Sequence, residues 1–237
     1  MAAVPDARPG IVFLGGFRSD MTGTKATYLH RRAAATGRAF LRFDYTGHGA
    51  SSGAFEDGTI GQWADDAAEA VARLTEGPQI LVGSSMGGWI ACLLARRMPE
   101  RIAALVGIAA APDFTEDSMW AGFDAATRAR LMDQGRIALP SAYGEDLIVT
   151  RALIEDGRQQ LVLRAPLSMP FPVRLLHGTA DVDVPVERGL ALLAHIGCPD
   201  ARLTLVKNAD HRFSEPRELA LIWRTVEDLT AQLALHP

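Results

Sequence analysis

The segment from Ile80 to Ile90 constrains the fold more than any other part of this sequence. It reads Ile-Leu-Val-Gly-Ser-Ser-Met-Gly-Gly-Trp-Ile, which is an apolar run, a glycine-rich turn and the start of a second apolar run. Of the two serines in this segment, Ser84 and Ser85, only Ser85 has glycine both two residues before it, at Gly83, and two residues after it, at Gly87. This spacing is typical of a sharp strand-to-helix turn whose cramped backbone leaves no room for side chains. It predicts that Ser85 projects from the carboxyl edge of a sheet as a nucleophile.

A glycine-rich turn between a strand and a helix can also bind a phosphate at the helix N-terminus. The Gly-Lys-Ser or Gly-Lys-Thr element of phosphate-binding loops does not follow this turn. A dinucleotide-binding turn has glycine at its first, third and sixth positions, whereas Gly83, Ser85 and Gly88 supply only two of the three. The sequence therefore favours a catalytic serine over a nucleotide site.

The composition indicates one globular unit, because 237 residues of which 48% are hydrophobic can bury a full core as a single domain spanning 1–237. A net charge of −4 without a basic cluster argues against nucleic acid as a partner. The longest apolar run, Ile102 to Ala111, is about half of what a membrane span needs. The first ten residues do not read as a signal peptide, so we expect a cytoplasmic protein. Cys92 and Cys198 lack metal-ligand spacing and are expected to be structural thiols.

Short β-rich runs alternate with longer helical patterns along the chain, which predicts a mostly parallel sheet of six to seven strands covered by helices on both faces. The candidate strands are Ile11 to Leu14, Ala39 to Asp44, Gln79 to Gly83, Ala104 to Ile108, Val173 to His177 and Arg202 to Val206. The candidate helices are Lys25 to Thr36, Ile60 to Leu74, Met86 to Arg97, Val186 to Ile196 and Glu215 to Leu233. Residues 112–171 interrupt this alternation and are expected to form a lid.

The expected lid carries apolar and aromatic side chains that suit a long acyl chain, although such residues can equally pack the insertion onto the sheet. They are Met119, Trp120, Phe123, Leu131, Met132, Tyr143, Leu147, Met169 and Phe171.

A nucleophilic serine needs a base, and His211 is the best placed of the six histidines because it follows the last predicted strand directly. Catalytic groups gather at the carboxyl edge of open α/β sheets, where Ser85 also lies. His177 is expected to pack beside the site, and His48 to stabilise a turn. The remaining histidines are expected on solvated faces or in the tail, at His30, His195 and His236.

The base needs an acidic partner that fixes its tautomer, and the loop after the fifth predicted strand offers two carboxylates, Asp181 and Asp183. The chain order of serine, acid and histidine differs from the orders of the two protease families and matches that of α/β hydrolases. From the residues alone, either carboxylate could reach His211.

From Ile11 to about Leu233 the chain resembles the α/β-hydrolase superfamily, which implies an α/β-hydrolase fold with a Ser-Asp-His triad. In that superfamily the acid follows a strand-end glycine in a Gly-x-x-Asp-x-x-Val-Pro pattern, which here selects Asp181 and leaves Asp183 as a loop-capping carboxylate. The resemblance also implies an oxyanion hole made by the backbone N–H groups of Phe17 and Met86, with little dependence on their side chains. Because only ten residues precede the first strand, the usual N-terminal hairpin is expected to be absent or reduced.

A narrower likeness joins the chain to the branch that contains a mitochondrial palmitoyl-protein thioesterase also acting on drug acyl-glucuronides. It is carried by the runs from Phe17 to Ala26, Phe43 to Gly47, Gly83 to Trp89 and Asp210 to Arg212. This branch implies ester or thioester substrates, which are small molecules or acylated proteins. No metal or organic cofactor is expected, because the nucleophile, the base and the electrophilic stabiliser are all protein groups.

Together these features predict a serine hydrolase that cleaves an ester or thioester through an acyl-enzyme. A peptidase and a carbon-carbon bond hydrolase use the same triad and stay as alternatives. A non-enzymatic ligand sensor that keeps the fold is the alternative from another class. The sequence does not indicate the oligomeric state.

Overall fold

A computed structural model describes residues 8–140 and 146–235, in which strands and helices alternate as predicted. The strands are β1 Ile11–Leu14, β2 Phe40–Arg42, β3 Gln79–Ser84, β4 Ile102–Ile108, β5 Arg136–Leu139, β6 Leu147–Thr150, β7 Leu167–Ser168, β8 Val173–Gly178, β9 Ile196–Gly197 and β10 Ala201–Val206. The helices are α1 Thr24–Ala35, α2 Ile60–Leu74, α3 Met86–Arg97, α4 Ala125–Gln134, α5 Arg151–Gln159, α6 Val186–His195 and α7 Pro216–Leu235.

The main sheet has six strands in the order β10-β8-β4-β3-β1-β2, and every neighbouring pair is parallel. All six are the strands predicted from the sequence, although β2 is shorter than the predicted run from Ala39 to Asp44. After β1 the chain moves outward to β2 and then returns to β3 on the other side of β1. The connections after β1 and β3 therefore leave in opposite directions, which opens a crevice at the carboxyl edge between them.

Helices cover both faces of this sheet, because its buried strands present apolar side chains on each side. Leu29 of α1 and Trp223 of α7 belong to one core cluster. Trp63 of α2, Trp89 of α3 and Leu192 of α6 belong to the other. In the described ranges, no helix combines the length and the apolar character that a bilayer span requires. Both cysteines are free, as predicted.

The insertion 112–171 has secondary structure of its own, which the sequence pattern did not reveal. A π-helical turn over Thr115–Trp120 is followed by α4, the antiparallel hairpin of β5 and β6, and α5. Asp124 caps α4 by accepting a hydrogen bond from the Thr127 N–H, and Gly135 ends this helix with a φ of 78°. Thr150 caps α5 in the same way. These capping residues are recognisable in the sequence and could have predicted both helices.

Most apolar side chains of the insertion pack within it or onto the sheet. A small cluster of its own contains Leu131, Ile137, Val149 and Ile154, with Trp120 and Phe123 packed against it. Met169 and Phe171 belong to the main core. Tyr143 lies outside the described residues. The role of residues 112–171 as a lid stays a prediction.

Asp113 attaches the two ends of the insertion to each other. Its fully buried carboxylate accepts hydrogen bonds from the Val162 N–H at 2.8 Å and the Leu163 N–H at 2.9 Å. Arg164 lies 3.3 Å from the same carboxylate. The Asp113 side chain, near the start of the insertion, thus binds the backbone of Val162 and Leu163, where the chain returns to the core.

We expect Asp113→Ala to lower the free energy of unfolding by about 2 to 4 kcal/mol, since it leaves two buried N–H groups without an acceptor. Urea unfolding of the two proteins would measure the change. Asp133→Ala, at an exposed position of α4, is the matched control and should change stability by less than about 0.5 kcal/mol. Equal effects of the two substitutions would contradict this role of Asp113.

Candidate active site

Ser85 lies between β3 and α3 in a backbone conformation that residues with side chains rarely adopt, with φ 54° and ψ −117°. The neighbouring glycines make this turn possible. A β-carbon on Gly83 would lie 2.3 Å from the carbonyl oxygen of Gly87, and one on Gly87 would lie 2.1 Å from the carbonyl oxygen of Leu14. Strand and helix approach too closely there for any side chain, so the turn presents the Ser85 hydroxyl at the carboxyl edge of the sheet.

The structure brings Ser85, His211 and Asp181 into one hydrogen-bonded chain. His211 Nε2 lies 3.1 Å from Ser85 Oγ, and His211 Nδ1 lies 2.9 Å from Asp181 Oδ2. Because a carboxylate only accepts, Nδ1 carries the proton and Nε2 is free to accept the hydrogen of the serine hydroxyl. These three side chains come from three different connections at the same sheet edge, after β3, β8 and β10.

Asp181 is held by its own loop as well as by the histidine. Its Oδ1 accepts hydrogen bonds from the backbone N–H groups of Asp183 at 3.0 Å and Val184 at 2.8 Å. Burial alone would raise the pKa of Asp181, but the hydrogen bonds from His211 and Val184 outweigh it and bring the pKa below its ordinary value. The carboxylate is therefore ionised at neutral pH and can accept the Nδ1 hydrogen of His211.

Asp183 differs from Asp181 in exposure, because its side chain lies on the outside of the loop. Its carboxylate is still near the site, and ligand atoms of Asp181, Asp183 and His211 lie within 4.8 Å of one another. Among the described residues this is the one group with metal-ligating side chains so close together. Two of its three members already bind each other, so the arrangement serves proton transfer better than metal binding.

Both predicted oxyanion donors lie beside Ser85. Met86 is the first residue of α3, where backbone N–H groups have no partner within the helix. Phe17 follows Gly16, and a β-carbon on Gly16 would be 3.4 Å from the Ser85 β-carbon. Phe17 and Ser85 line the same cavity.

The Phe17 side chain has a packing role that the sequence did not predict. Its ring centroid lies 4.8 Å from that of Phe55, 5.8 Å from that of Trp63 and 5.5 Å from that of Phe114, all in edge-to-face contacts. Phe114 in turn contacts Trp89 of α3 at 5.6 Å. The loop that carries the Phe17 N–H is thus fixed through its side chain.

A cavity of about 750 Å³ opens above Ser85 and has an apolar side and a charged side. Its apolar lining includes Phe17, Phe114, Met119 and Leu147. Of the apolar lid residues named from the sequence, Met119 and Leu147 line it within the described ranges. The charged side chains of its wall are Arg18, Asp20, Lys25, Asp183, Arg188 and Arg212. The four cations among them are scattered along the sequence and form no basic cluster in it.

The other histidines that the structure describes lie outside this hydrogen-bonded chain. His177 is buried beside Asp181 and donates from Nε2 to the Val184 carbonyl at 2.8 Å, in agreement with a packing role. His48 is buried among aromatic rings, including those of Phe55 and Trp63, and burial lowers its pKa. His30 and His195 lie on α1 and α6, and His236 is outside the described residues.

The proteins to which this chain is similar belong to a family that this geometry fits. A model of the alpha/beta hydrolase family matches residues 11–220. The chain belongs to the alpha/beta hydrolase family. Palmitoyl-protein thioesterase ABHD10, mitochondrial, of Mus musculus is 36% identical over 228 residues, which cover 95% of this chain and 76% of that protein. The Homo sapiens protein of the same name is 35% identical, and the match covers 95% of this chain and 74% of that protein.

Solved structures show that the alpha/beta hydrolase fold extends over most of the chain. Alpha/beta hydrolase domain-containing protein 10 from mouse superposes with a TM-score of 0.88 at 36% identity, covering 95% of this chain and 90% of that one. The crystal structure of a hydrolase from Agrobacterium vitis S4 superposes with a TM-score of 0.91 at 42% identity, covering 94% of this chain and 88% of that one. The fold class and the branch predicted from the sequence are confirmed. The cytoplasmic location stays a prediction, and the curated relatives are named as mitochondrial.

In this alpha/beta hydrolase, we expect Gly87→Ala to lower the free energy of unfolding by about 3 kcal/mol, because the new methyl group would collide with the Leu14 and Gly15 carbonyls. Urea unfolding would measure the change. Gly122→Ala is the matched control, since a β-carbon there has no atom within 4 Å. A Gly87→Ala protein as stable as the control would contradict the close approach of β1 and α3.

Proposed function

We propose that this chain is a serine hydrolase that cleaves carboxylic ester or thioester bonds through an acyl-enzyme on Ser85. The observation that carries the proposal is the hydrogen-bonded chain from Ser85 through His211 to Asp181, placed at the tip of a glycine-flanked turn. The thioesterase relatives support the same bond type.

In the first half of the reaction, His211 Nε2 takes the proton of the Ser85 hydroxyl while Oγ attacks the carbonyl carbon of the substrate. The carbonyl oxygen becomes an oxyanion, and Asp181 stabilises the imidazolium that forms. When the tetrahedral intermediate collapses, the bond to the leaving alcohol or thiol breaks and Nε2 returns its proton to that group. The acyl group is then bonded to Ser85 Oγ.

In the second half, His211 takes a proton from a water molecule, whose oxygen attacks the acyl carbonyl. Collapse of this second intermediate breaks the bond to Oγ, and Nε2 gives the proton back to Ser85. The carboxylic acid leaves and the free enzyme is restored. No step needs a redox or group-carrying cofactor, because nucleophile, base and donors are protein groups.

In this proposal the backbone N–H groups of Met86 and Phe17 hold the oxyanion in both halves. A single donor of this kind is worth about 3 to 4 kcal/mol of transition-state stabilisation. The packing of the Phe17 ring against its aromatic neighbours supports this role, since it fixes the donor before substrate arrives.

We further propose that residues 112–171 cover the acyl site. Phe114, Met119 and Leu147 of this insertion line the apolar side of the cavity together with Phe17. An acyl chain fits this side, and the leaving group, from a small molecule or an acylated protein, would face the polar wall. Peptide and carbon-carbon bond cleavage need the same three side chains, so substrate panels have to separate them.

The decisive test is Ser85→Ala, compared with the wild type in fluorophosphonate labelling and in hydrolysis of p-nitrophenyl esters and palmitoyl-CoA. We expect labelling and turnover in the wild type only, because the variant lacks the attacking oxygen. A variant that hydrolyses the esters at the wild-type rate would exclude Ser85. Wild-type labelling without multiple turnover would favour the sensor alternative.

A second test separates the two carboxylates of the acid loop. We expect Asp181→Asn to lower kcat by roughly 10⁴-fold, because asparagine leaves His211 in the wrong tautomer. Asp183→Asn, two residues away and exposed, is the matched control and should retain most of the activity. Steady-state kinetics on one ester substrate would measure both. The opposite order of effects would assign the acid to Asp183.

A further inference from the structure

Lys25 joins the first turn of α1 to the loop that carries His211. Its Nζ donates a hydrogen bond to the carbonyl oxygen of Arg212, which is 187 positions away in the sequence. The Arg212 carbonyl belongs to the residue directly after His211. Lys25 also lines the cavity above Ser85. The side chain therefore contacts the backbone of the residue next to the proposed base, His211.

Other contacts fix the loop on either side of this point. Before His211, the Ala180 N–H donates to the Ala209 carbonyl at 3.0 Å, and the Asn208 N–H donates to Thr179 Oγ1 at 2.9 Å. After it, Phe213 is fully buried in the core. Among the interactions that the structure describes, the Lys25 bond is the one made by the Arg212 carbonyl to a side chain.

We propose that Lys25 is a positioning residue whose ammonium group holds the Arg212 carbonyl and thereby keeps His211 in line with Ser85. The inference rests on the proposed function. It gives a role to Lys25, which takes no part in the proposed reaction steps.

The charge on Lys25 is easily lost. Burial lowers its pKa to about 8, and the neighbouring charge of Arg212 acts in the same direction. Asp210 in the same loop and Glu218 of α7 oppose the shift. A hydrogen bond from a charged donor is about twice as strong as one from a neutral donor. Deprotonation of Lys25 therefore weakens the hold on the loop within the pH range of an ordinary assay.

As the pH rises above about 8, loss of the Lys25 charge is expected to lower kcat, whereas the contribution of Lys25 to the free energy of unfolding increases. Lys25 has a lower pKa when folded than the ordinary value of 10.5, so between about pH 8 and that value the unfolded chain binds more protons. The contribution of Lys25 to the free energy of unfolding therefore increases as pH rises over this interval. A fall of kcat in the same interval is then distinguishable from unfolding.

The test compares Lys25→Arg and Lys25→Met with the wild type, with kcat and KM measured from about pH 7 to about pH 10. Arginine keeps its charge throughout this range, whereas methionine removes both the charge and the donor. Lys207→Met is the matched control, because Lys207 is the other lysine of the chain and is exposed. Thermal melting over the same pH range monitors folding.

We expect the wild type and Lys207→Met to lose kcat above about pH 8, with KM nearly unchanged. Lys25→Arg should keep the neutral-pH kcat to within about threefold and should lack this alkaline fall. Lys25→Met should have a kcat about tenfold to a hundredfold lower at neutral pH, because small displacements of a base have effects of that size.

Two results would overturn the positioning role. One is a Lys25→Met protein with wild-type kcat at neutral pH, and the other is a Lys25→Arg protein with the same alkaline fall as the wild type. If Lys25→Met does not fold, the comparison of Lys25→Arg with the wild type decides alone. Failure of the proposed function looks different, since the wild type itself would then show no fluorophosphonate labelling and no turnover, and the role of Lys25 would fall with it.

Discussion

The carbonyl oxygens of Leu14 and Gly15 lie so close to Gly87 that a β-carbon on this residue would be within 2.1 Å and 2.6 Å of them. This contact brings the end of β1 against the start of α3, and the rest of the site depends on it. It places the Phe17 loop next to the Ser85 turn, and it keeps the turn in a backbone conformation that would otherwise be unfavourable. The strand order also places the Phe17 loop beside the Ser85 turn. β1 and β3 are neighbours in the sheet, and the connections that follow them leave in opposite directions.

The parts of the structure that the sequence predicts well are those with strong local patterns. β3 and β4 are continuous apolar runs, as expected for strands buried on both faces, and Ser85 follows from its two flanking glycines. The residues alone left Asp181 and Asp183 equally acceptable, and the family pattern selected Asp181. In the structure the Asp181 carboxylate is buried and lies 2.9 Å from His211 Nδ1, whereas Asp183 is exposed; the role of Asp181 as the acid stays a prediction.

The parts that the sequence does not predict depend on long-range contacts or on weak local patterns. α4 buries one residue, Leu131, so its apolar periodicity is faint and only its caps mark it. The contact from Lys25 to Arg212 spans most of the chain and has no sequence signature. Phe17 is similar, since a backbone role gave no reason to expect that its ring would be packed between Phe55 and Phe114.

The first residues of the insertion are fastened to the core, and this determines where the cavity can widen. Asp113 is bonded to the returning chain, Phe114 packs against Phe17 and Trp89, and Asp117 is paired with Arg188 of α6 at 3.1 Å. A hinge at the start of the insertion would break all of these contacts and displace Phe17, the proposed oxyanion donor. If the insertion covers the acyl site as proposed, an opening for substrate fits better at the far end, beside the β5-β6 hairpin that carries Leu147, because a displacement there leaves the contacts of Asp113, Phe114 and Asp117 intact.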